Sequence, residues 1–367
     1  MNKKSEAIKK QFVAVLFSCL FILGLTSNPA LGQQPKLKVG IIHIGSITDG
    51  GYNQAHAEGV AIMKKNLPEV EVIEVENVPE SADAERVMEN MIKQGAKLII
   101  AASFGYLDPA LRVAKKYPEV KFVHPAGYKR APNLTTYWAS TPEAFYLMGI
   151  AAGKTSKTSK MGFVCALPVS YFLANINALH LGARSVNPKM ETRVVFTGTF
   201  LDPGKEATAA NALLDQGADV LGMIVDSPIT VVQIAEKRGA YCIGYHYLGV
   251  QKFAPKGWIS GIAFTWGGLY TRFAKQVMEG TWKSENILGN LASDLIAIAP
   301  FGPAVPAEAI KLVEETKKAF IEGKKNVFEG PIKDNRGQER VKAGGHWSLN
   351  DLGKMDWLVE GIIGQPR

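Results

Sequence analysis

The sequence predicts an α/β protein built from two doubly wound parallel-sheet lobes joined by three crossovers. From Leu37 onward, short apolar runs alternate with helical windows, the pattern of a parallel sheet flanked by helices. Near Met161 that alternation starts again. The 367 residues, 47% hydrophobic and 21% charged, suffice for a large core, and single cores stop growing beyond about 250–300 residues.

Residues 1–32 read as a secretory signal peptide: a basic start from Lys3 to Lys10, an apolar run from Phe12 to Leu25, and Ala30-Leu31-Gly32 before polar Gln33-Gln34-Pro35. The run is shorter than the roughly 20 residues of a spanning helix, and Ser18, Gly24 and Pro29 interrupt or end it. Cleavage is expected after Gly32, which places the mature chain in the periplasm. Leu16-Phe17-Ser18-Cys19 resembles a lipoprotein box, but Phe17 is bulky for one, and a lipid anchor at Cys19 is the minority reading. The mature chain keeps Cys165 and Cys242, both inside apolar runs, where Cys serves as a small buried hydrophobe.

In the first lobe, strands are expected at Leu37–His43, Val70–Val75, Lys97–Ala101 and Lys121–His124, with an extended piece at Asn133–Trp138. Helices fall between them at Tyr52–Lys65, Ala82–Gln94 and Pro109–Tyr117. The second set runs through strands Met161–Cys165, Arg193–Phe196, Val220–Val225, Tyr241–Tyr245 and Ile259–Ala263. Its helices are Val169 to Val186, Lys205–Gln216 and Ile229–Arg238, and a helix Gly267–Met278 and a strand Asp294–Ala299 follow. The expected division is residues 37–139 plus 266–291 in one lobe, 140–265 plus 292–322 in the other, and a wrapped tail over 323–367.

Several chemistries are excluded. The formal charge of +8 includes four lysines against Glu6 in the first 32 residues, so the mature chain carries +5, with no basic and aromatic footprint for nucleic acid. Gly149-Ile-Ala-Ala-Gly153-Lys154-Thr155 is one residue short of a phosphate loop and follows a helical window instead of a strand, so Gly153 reads as a helix end. No GxSxG, HExxH or CxxC occurs, and the six His are scattered without metal-ligand spacing. Neither a metal nor a cofactor is expected.

Ligands of open α/β sheets bind outside the carboxyl ends of the strands. Those ends carry aromatic and hydrogen-bonding side chains: Tyr52 and Asn53, Ser103 to Tyr106, Tyr171 and Phe172, Asp226, Tyr245 to Tyr247, then Phe264 and Trp266. A flat heteroaromatic ligand gains about 1–3 kcal/mol per stacking face, although each of these rings can equally be core.

The run Thr48-Asp-Gly-Gly-Tyr-Asn-Gln54 resembles the element that opens the basic membrane protein (BMP), or PnrA-like, family of substrate-binding proteins of ABC transporters. Ser103-Phe-Gly-Tyr-Leu-Asp-Pro109, Gly149 to Gly153, Asp202-Pro-Gly-Lys205 and Gly330-Pro-Ile-Lys-Asp334 resemble later family elements in the same order. The resemblance implies a type I periplasmic binding protein that closes its lobes on a ligand, purine nucleosides being the best-known cargo. By that resemblance Tyr52 stands at the family's stacking Phe, Asn53 at its Asn and Asp108 at its Asp. Where nucleoside binders show G-x-D and a Lys, this chain reads Gly244-Tyr245-His246 and Thr265-Trp266-Gly267. Loss of that carboxylate and ammonium disfavours a sugar and favours a bare base, and the Ser103 and Trp266 turns resemble an adenine-associated branch.

The expectation is a non-catalytic, monomeric receptor that carries a purine base, adenine first, to an ABC permease. Its candidate ligand residues are Tyr52, Asn53, Ser103, Phe104, Gly105, Tyr106, Phe172, Asp226, His246 and Trp266, with Tyr52 and Trp266 flanking the ring and Asp226 accepting from the exocyclic amine. A purine nucleoside is the alternative cargo. A nucleoside hydrolase using Asp226 or Asp49 as base is the alternative of another class, and a transcription regulator would need a helix-turn-helix ahead of Leu37.

Overall fold

The computed structural model describes residues 37–366 apart from position 349, so the expected signal peptide and the Cys19 box lie outside the described residues. The chain first lays down β1 (Leu37–His43), β2 (Val70–Val75), β3 (Leu98–Ala102), β4 (Lys121–Pro125) and β5 (Leu134–Ala139). Helices α1 (Tyr52–Asn66), α2 (Ala82–Lys93) and α3 (Leu107–Lys116) connect the first four. The segment crosses to a second sheet through α4 (Pro142–Thr155) and builds β6 (Lys160–Cys165), β7 (Glu191–Phe196), β8 (Val220–Ile224), β9 (Tyr241–His246) and β10 (Trp258–Phe264). Between these strands lie α5 (Ser170–Val186), α6 (Pro203–Asp215) and α7 (Ile229–Lys237).

Helix α8 (Gly267–Met278) returns to the first lobe and packs on α1: a Cβ on Gly59 would lie 2.8 Å from Trp266 Cβ, and Asn66 Nδ2 donates to Thr271 Oγ1 at 3.1 Å. There the chain adds β11 (Asn286–Gly289), then crosses back for β12 (Ile296–Ile298) and α9 (Ala307–Ile321). The tail carries β13 (Ile332–Lys333), β14 (Glu339–Val341) and β15 (Ile362–Ile363).

Sheet order is β11-β5-β4-β3-β1-β2 in the first lobe and β12-β10-β9-β8-β6-β7-β15 in the second. All pairs are parallel except β10 with β12. Central strands such as β3 and β8 are buried along their whole length, which is why their sequences read as unbroken apolar runs. The order reverses between β1 and β3 in one lobe and between β6 and β8 in the other, and such switch points are where open α/β sheets bind their ligands.

The three crossovers are bonded to one another. Ser140 N–H donates to the Gly289 carbonyl at 2.8 Å, Leu291 N–H to Glu143 Oε2 at 3.0 Å, and Thr265 N–H to the Leu295 carbonyl at 3.1 Å.

Gly153 is not a helix end. It lies inside α4, which runs to Thr155, because α5 approaches too closely for a side chain. A Cβ on Gly149 would lie 2.0 Å from the Leu179 carbonyl oxygen, and one on Gly153 would lie 2.6 Å from that of Ala183. The tail crosses the second lobe, where β15 extends the sheet beyond β7 and Asn177 Nδ2 donates to the Trp357 carbonyl at 2.9 Å. Among the described residues no helix is long and apolar enough to cross a membrane.

Candidate functional site

The loop after β1 spends its polar groups on itself. Asp49 Oδ1 accepts the N–H groups of Gly51 (2.8 Å) and Gln54 (3.0 Å), and Oδ2 accepts that of Asn53 (3.0 Å), so a carboxylate caps the start of α1. Asn53 Nδ2 donates to Asp49 Oδ2 at 2.8 Å, while its Oδ1 accepts from Gly45 N–H at 3.2 Å. The buried Asn53 amide therefore fixes this loop.

The two lobes meet at that loop. Tyr52 N–H donates to the Asp226 carbonyl at 2.9 Å, and Ser227 Oγ donates to the Asp49 carbonyl at 2.7 Å. Gly51 is needed for this approach, since a Cβ there would lie 1.9 Å from the Asp226 carbonyl oxygen. Asp226 follows β8 at the switch point of the second lobe, and Tyr52 follows β1 at that of the first.

On the second-lobe side the polar groups are left unpaired. Every influence on the Asp226 carboxyl holds it well above the usual carboxylate range: burial first, then Asp49, Glu80 and Glu206. His246 ends β9 at φ +71°, a left-handed conformation that costs a non-glycine residue about 1 kcal/mol or more. Its buried Nδ1 has no partner, and burial lowers its pKa to about 3, so the ring is a neutral imidazole. Its ring meets that of Tyr52 edge-on at 5.5 Å. The Tyr52 phenol is pushed well above 10 by burial, then by Tyr137 and Asp226, so it stays a neutral ring with a hydroxyl.

Trp266 lies behind these groups at the second crossover, 1% exposed. It is parallel to Phe264 at 4.9 Å and to His56 at 5.6 Å, and edge-on to Tyr137 at 5.1 Å. The indole is thus stacked on protein rings, in a hinge cluster where His56 also bonds the Tyr270 hydroxyl through Nδ1 at 2.5 Å.

The turn after β3 is divided in the same way. Tyr106 is fully buried and its hydroxyl donates to the Val78 carbonyl, which makes it a core residue. Ser103 Oγ and Gly105 N–H both donate to Glu80 Oε1, at 2.5 and 2.8 Å. Phe104 is exposed, with its ring 6.2 Å from Tyr128, and Asp108 pairs with Lys129 at the surface. Phe172, half-buried at the start of α5, meets Phe200 edge-on at 6.2 Å.

Of the expected site residues, the structure brings Tyr52, Asp226, His246 and the Trp266 cluster together; Phe172 adjoins them through Phe200, whose carbonyl accepts the Asp226 N–H at 2.8 Å, Tyr106 is near enough to act on the Tyr52 phenol, and Phe104 stands exposed. Glu80 was missed because a lone Glu in a loop carries no motif. A separate surface groove of about 540 Å³, bounded by β7 and the start of α6, is lined by none of the expected site residues. Among the described residues no group of three or more His, Cys, Asp and Glu is placed to hold a metal ion.

Two doubly wound lobes, three bonded crossovers and unpaired polar groups at the seam define a two-lobed binding protein. The model of the Bmp family, ABC transporter substrate-binding proteins that are PnrA-like, matches residues 36–335, and the chain belongs to that family. It is 40% identical over 342 residues to a purine-binding protein of Brucella abortus, covering 93% of this chain and 97% of that one. It is 29% identical to a putative ABC transporter glucose-binding protein of Haloferax volcanii, covering 88% and 80% of the two chains. A solute-binding protein of an ABC transporter system from Conexibacter woesei shares the fold, with a TM-score of 0.68 at 24% identity over 79% of this chain and 98% of that one.

Proposed function

We propose that this chain is the extracytoplasmic receptor of an ABC importer and that it carries a purine base, adenine first, held between its lobes. The observation that carries the reading is the pair of groups beside the Tyr52 ring: the half-buried Asp226 carboxyl, which has no cation beside it, and His246 Nδ1, buried without a partner. Leaving a buried group such as His246 Nδ1 unsatisfied costs about 1–3 kcal/mol, a cost removed by a ligand that bonds the imidazole while it donates to the carboxyl. The amino group and ring nitrogens of adenine match that demand, and the Tyr52 ring offers a face to a flat heterocycle. The likeness to the purine-binding protein of Brucella abortus supports the same class. The role is binding without turnover, by a monomer that leaves the cytoplasm through cleavage after Gly32 and delivers its cargo to a membrane permease.

Titration calorimetry with adenine, hypoxanthine, guanine, adenosine, guanosine and glucose tests it. The expected order places adenine first. Tight binding of nucleosides with no measurable binding of free bases overturns the base preference, and product analysis after incubation with adenosine tests the absence of turnover.

A further inference from the structure

Glu80 is the one carboxylate at the first-lobe switch point that the loop after β1 does not consume. Its segment is tied to that point from two sides: Val78 N–H donates to the His43 carbonyl at 2.9 Å, and the Tyr106 hydroxyl donates to the Val78 carbonyl. Ser103 Oγ and Gly105 N–H then fix Glu80 Oε1 at 2.5 and 2.8 Å. Gly105 is required for this grip, because a Cβ there would lie 2.3 Å from Glu80 Cδ. Among the described residues Glu80 Oε2 accepts no hydrogen bond and the carboxylate pairs with no Lys, Arg or His. Capping the turn at Ser103 needs only one oxygen, so the second is oriented and, Glu80 being exposed, left to solvent until a ligand arrives. Its charge is felt by both Tyr52 and Asp226, the groups at the seam.

We propose that Glu80 is a specificity-determining ligand residue, whose Oε2 accepts the imidazole-ring N–H of a free purine base while Asp226 of the other lobe meets the amino edge. This rests on the purine reading and deepens it. Two acceptors on opposite lobes require donors at both ends of the ligand. A free base has them, whereas a nucleoside carries a sugar carbon where the ring N–H would be and leaves Glu80 facing a group that cannot donate. Ser103 and Gly105 then act as positioning residues for Glu80.

The test compares adenine with 9-methyladenine, which lacks the N9 proton, on the full mature chain. The wild type is expected to bind adenine at least about tenfold more tightly than 9-methyladenine. Glu80→Gln, which keeps the shape and an oxygen for Ser103, is expected to lose adenine affinity about tenfold or more while its 9-methyladenine affinity stays within about twofold. Ser103→Ala is expected to show the same pattern at smaller size, which keeps the inference testable should Glu80→Gln fold poorly. Equal losses for the two ligands, or an unchanged adenine affinity in Glu80→Gln, overturn the role of Glu80 and leave the purine reading standing. Absence of adenine binding by the wild type overturns both.

Discussion

The loops after β1 and β8, which meet at the seam, treat their aspartates in opposite ways. On the first-lobe side, Asp49 and Asn53 are saturated by the backbone of their own loop, and Ser103 and Gly105 are spent on Glu80. On the second-lobe side, the half-buried Asp226 carboxyl has no cation beside it, His246 Nδ1 is buried without a partner, and His246 also holds a strained backbone. By this measure motif residues whose bonding is complete read as scaffold and those left wanting are candidates for a ligand to complete, the buried Nε1 of Trp266 among them. Sequence motifs flag both kinds equally, because a tight loop and a binding site both select Asp, Asn, Ser and Gly.

The sharpest break of this division lies at Trp266. The sequence places the indole against the ligand, whereas in the structure it is 1% exposed and parallel to Phe264 and His56. Trp266→Ala is therefore expected to cost about 3–5 kcal/mol of stability, as large core truncations do. Thermal melting checks it. A variant that melts like the wild type but loses its ligand would return the indole to the binding side.

Acid titration separates the two regions next. His180, on α5 under the tail, bonds Thr192 Oγ1 at 2.9 Å and the Glu360 carbonyl at 3.0 Å, and burial lowers its pKa to about 4 from 6.5. A depressed histidine contributes stability that is present above the unfolded value and lost as pH falls through the folded one. At 1.36 kcal/mol per unit the span from 6.5 to about 4 amounts to roughly 3 kcal/mol. Asp226 runs the other way: its raised pKa favours the folded state below its ordinary value of 3.8, and that contribution is lost as pH rises. Denaturant melts across this range should show stability falling below about pH 6.5, less steeply in His180→Gln. A flat profile would mean that His180 is not held neutral.

Much of the fold was legible because strands buried on both faces leave continuous apolar runs. Leu37–His43 was readable to the residue, and so were the Gln94-Gly95 and Gln216-Gly217 stops, where Gly95 and Gly217 adopt φ of +98° and +89°. The short strand Asn286–Gly289 was not, since its half-exposed residues form a strand only by pairing with Thr136 to Ala139, far away in sequence. The site was legible in part. Tyr52, Asp226 and His246 follow from their places after strands, but whether an aromatic faces the ligand or the core is decided by what packs behind it. Tyr106 and Trp266 could be assigned only once Val78, His56 and Phe264 were in place.

At the seam itself, Asp226→Asn is expected to weaken adenine by about 1–3 kcal/mol, a factor of roughly 5 to 150, and hypoxanthine less. An amide donates to the carbonyl of hypoxanthine where a carboxylate cannot, while against adenine it offers a donor to a donor. The same change removes a desolvated carboxyl, so the ligand-free protein should become more stable at neutral pH. Competition calorimetry and a melt of the empty protein check the two halves. Equal losses for both bases would place the amino group elsewhere.

The smallest effect belongs to Phe104. The sequence counts it among the stacking residues because it follows β3 beside Ser103, yet its side chain is 55% exposed and among the described residues its aromatic neighbour is Tyr128, itself 68% exposed. Neither ring is desolvated where it stands, and neither meets the Tyr52, Asp226 and His246 group. Phe104→Ala should therefore leave the melting temperature nearly unchanged, because surface substitutions usually fall within about 0.5 kcal/mol. It should reduce adenine affinity by no more than about threefold, against the factor of roughly 5 to 150 that removal of a full stacking face costs. A loss within that larger range would show that the Phe104 ring reaches the ligand once it is bound, and the first-lobe side would then contribute a mobile aromatic as well as a saturated scaffold.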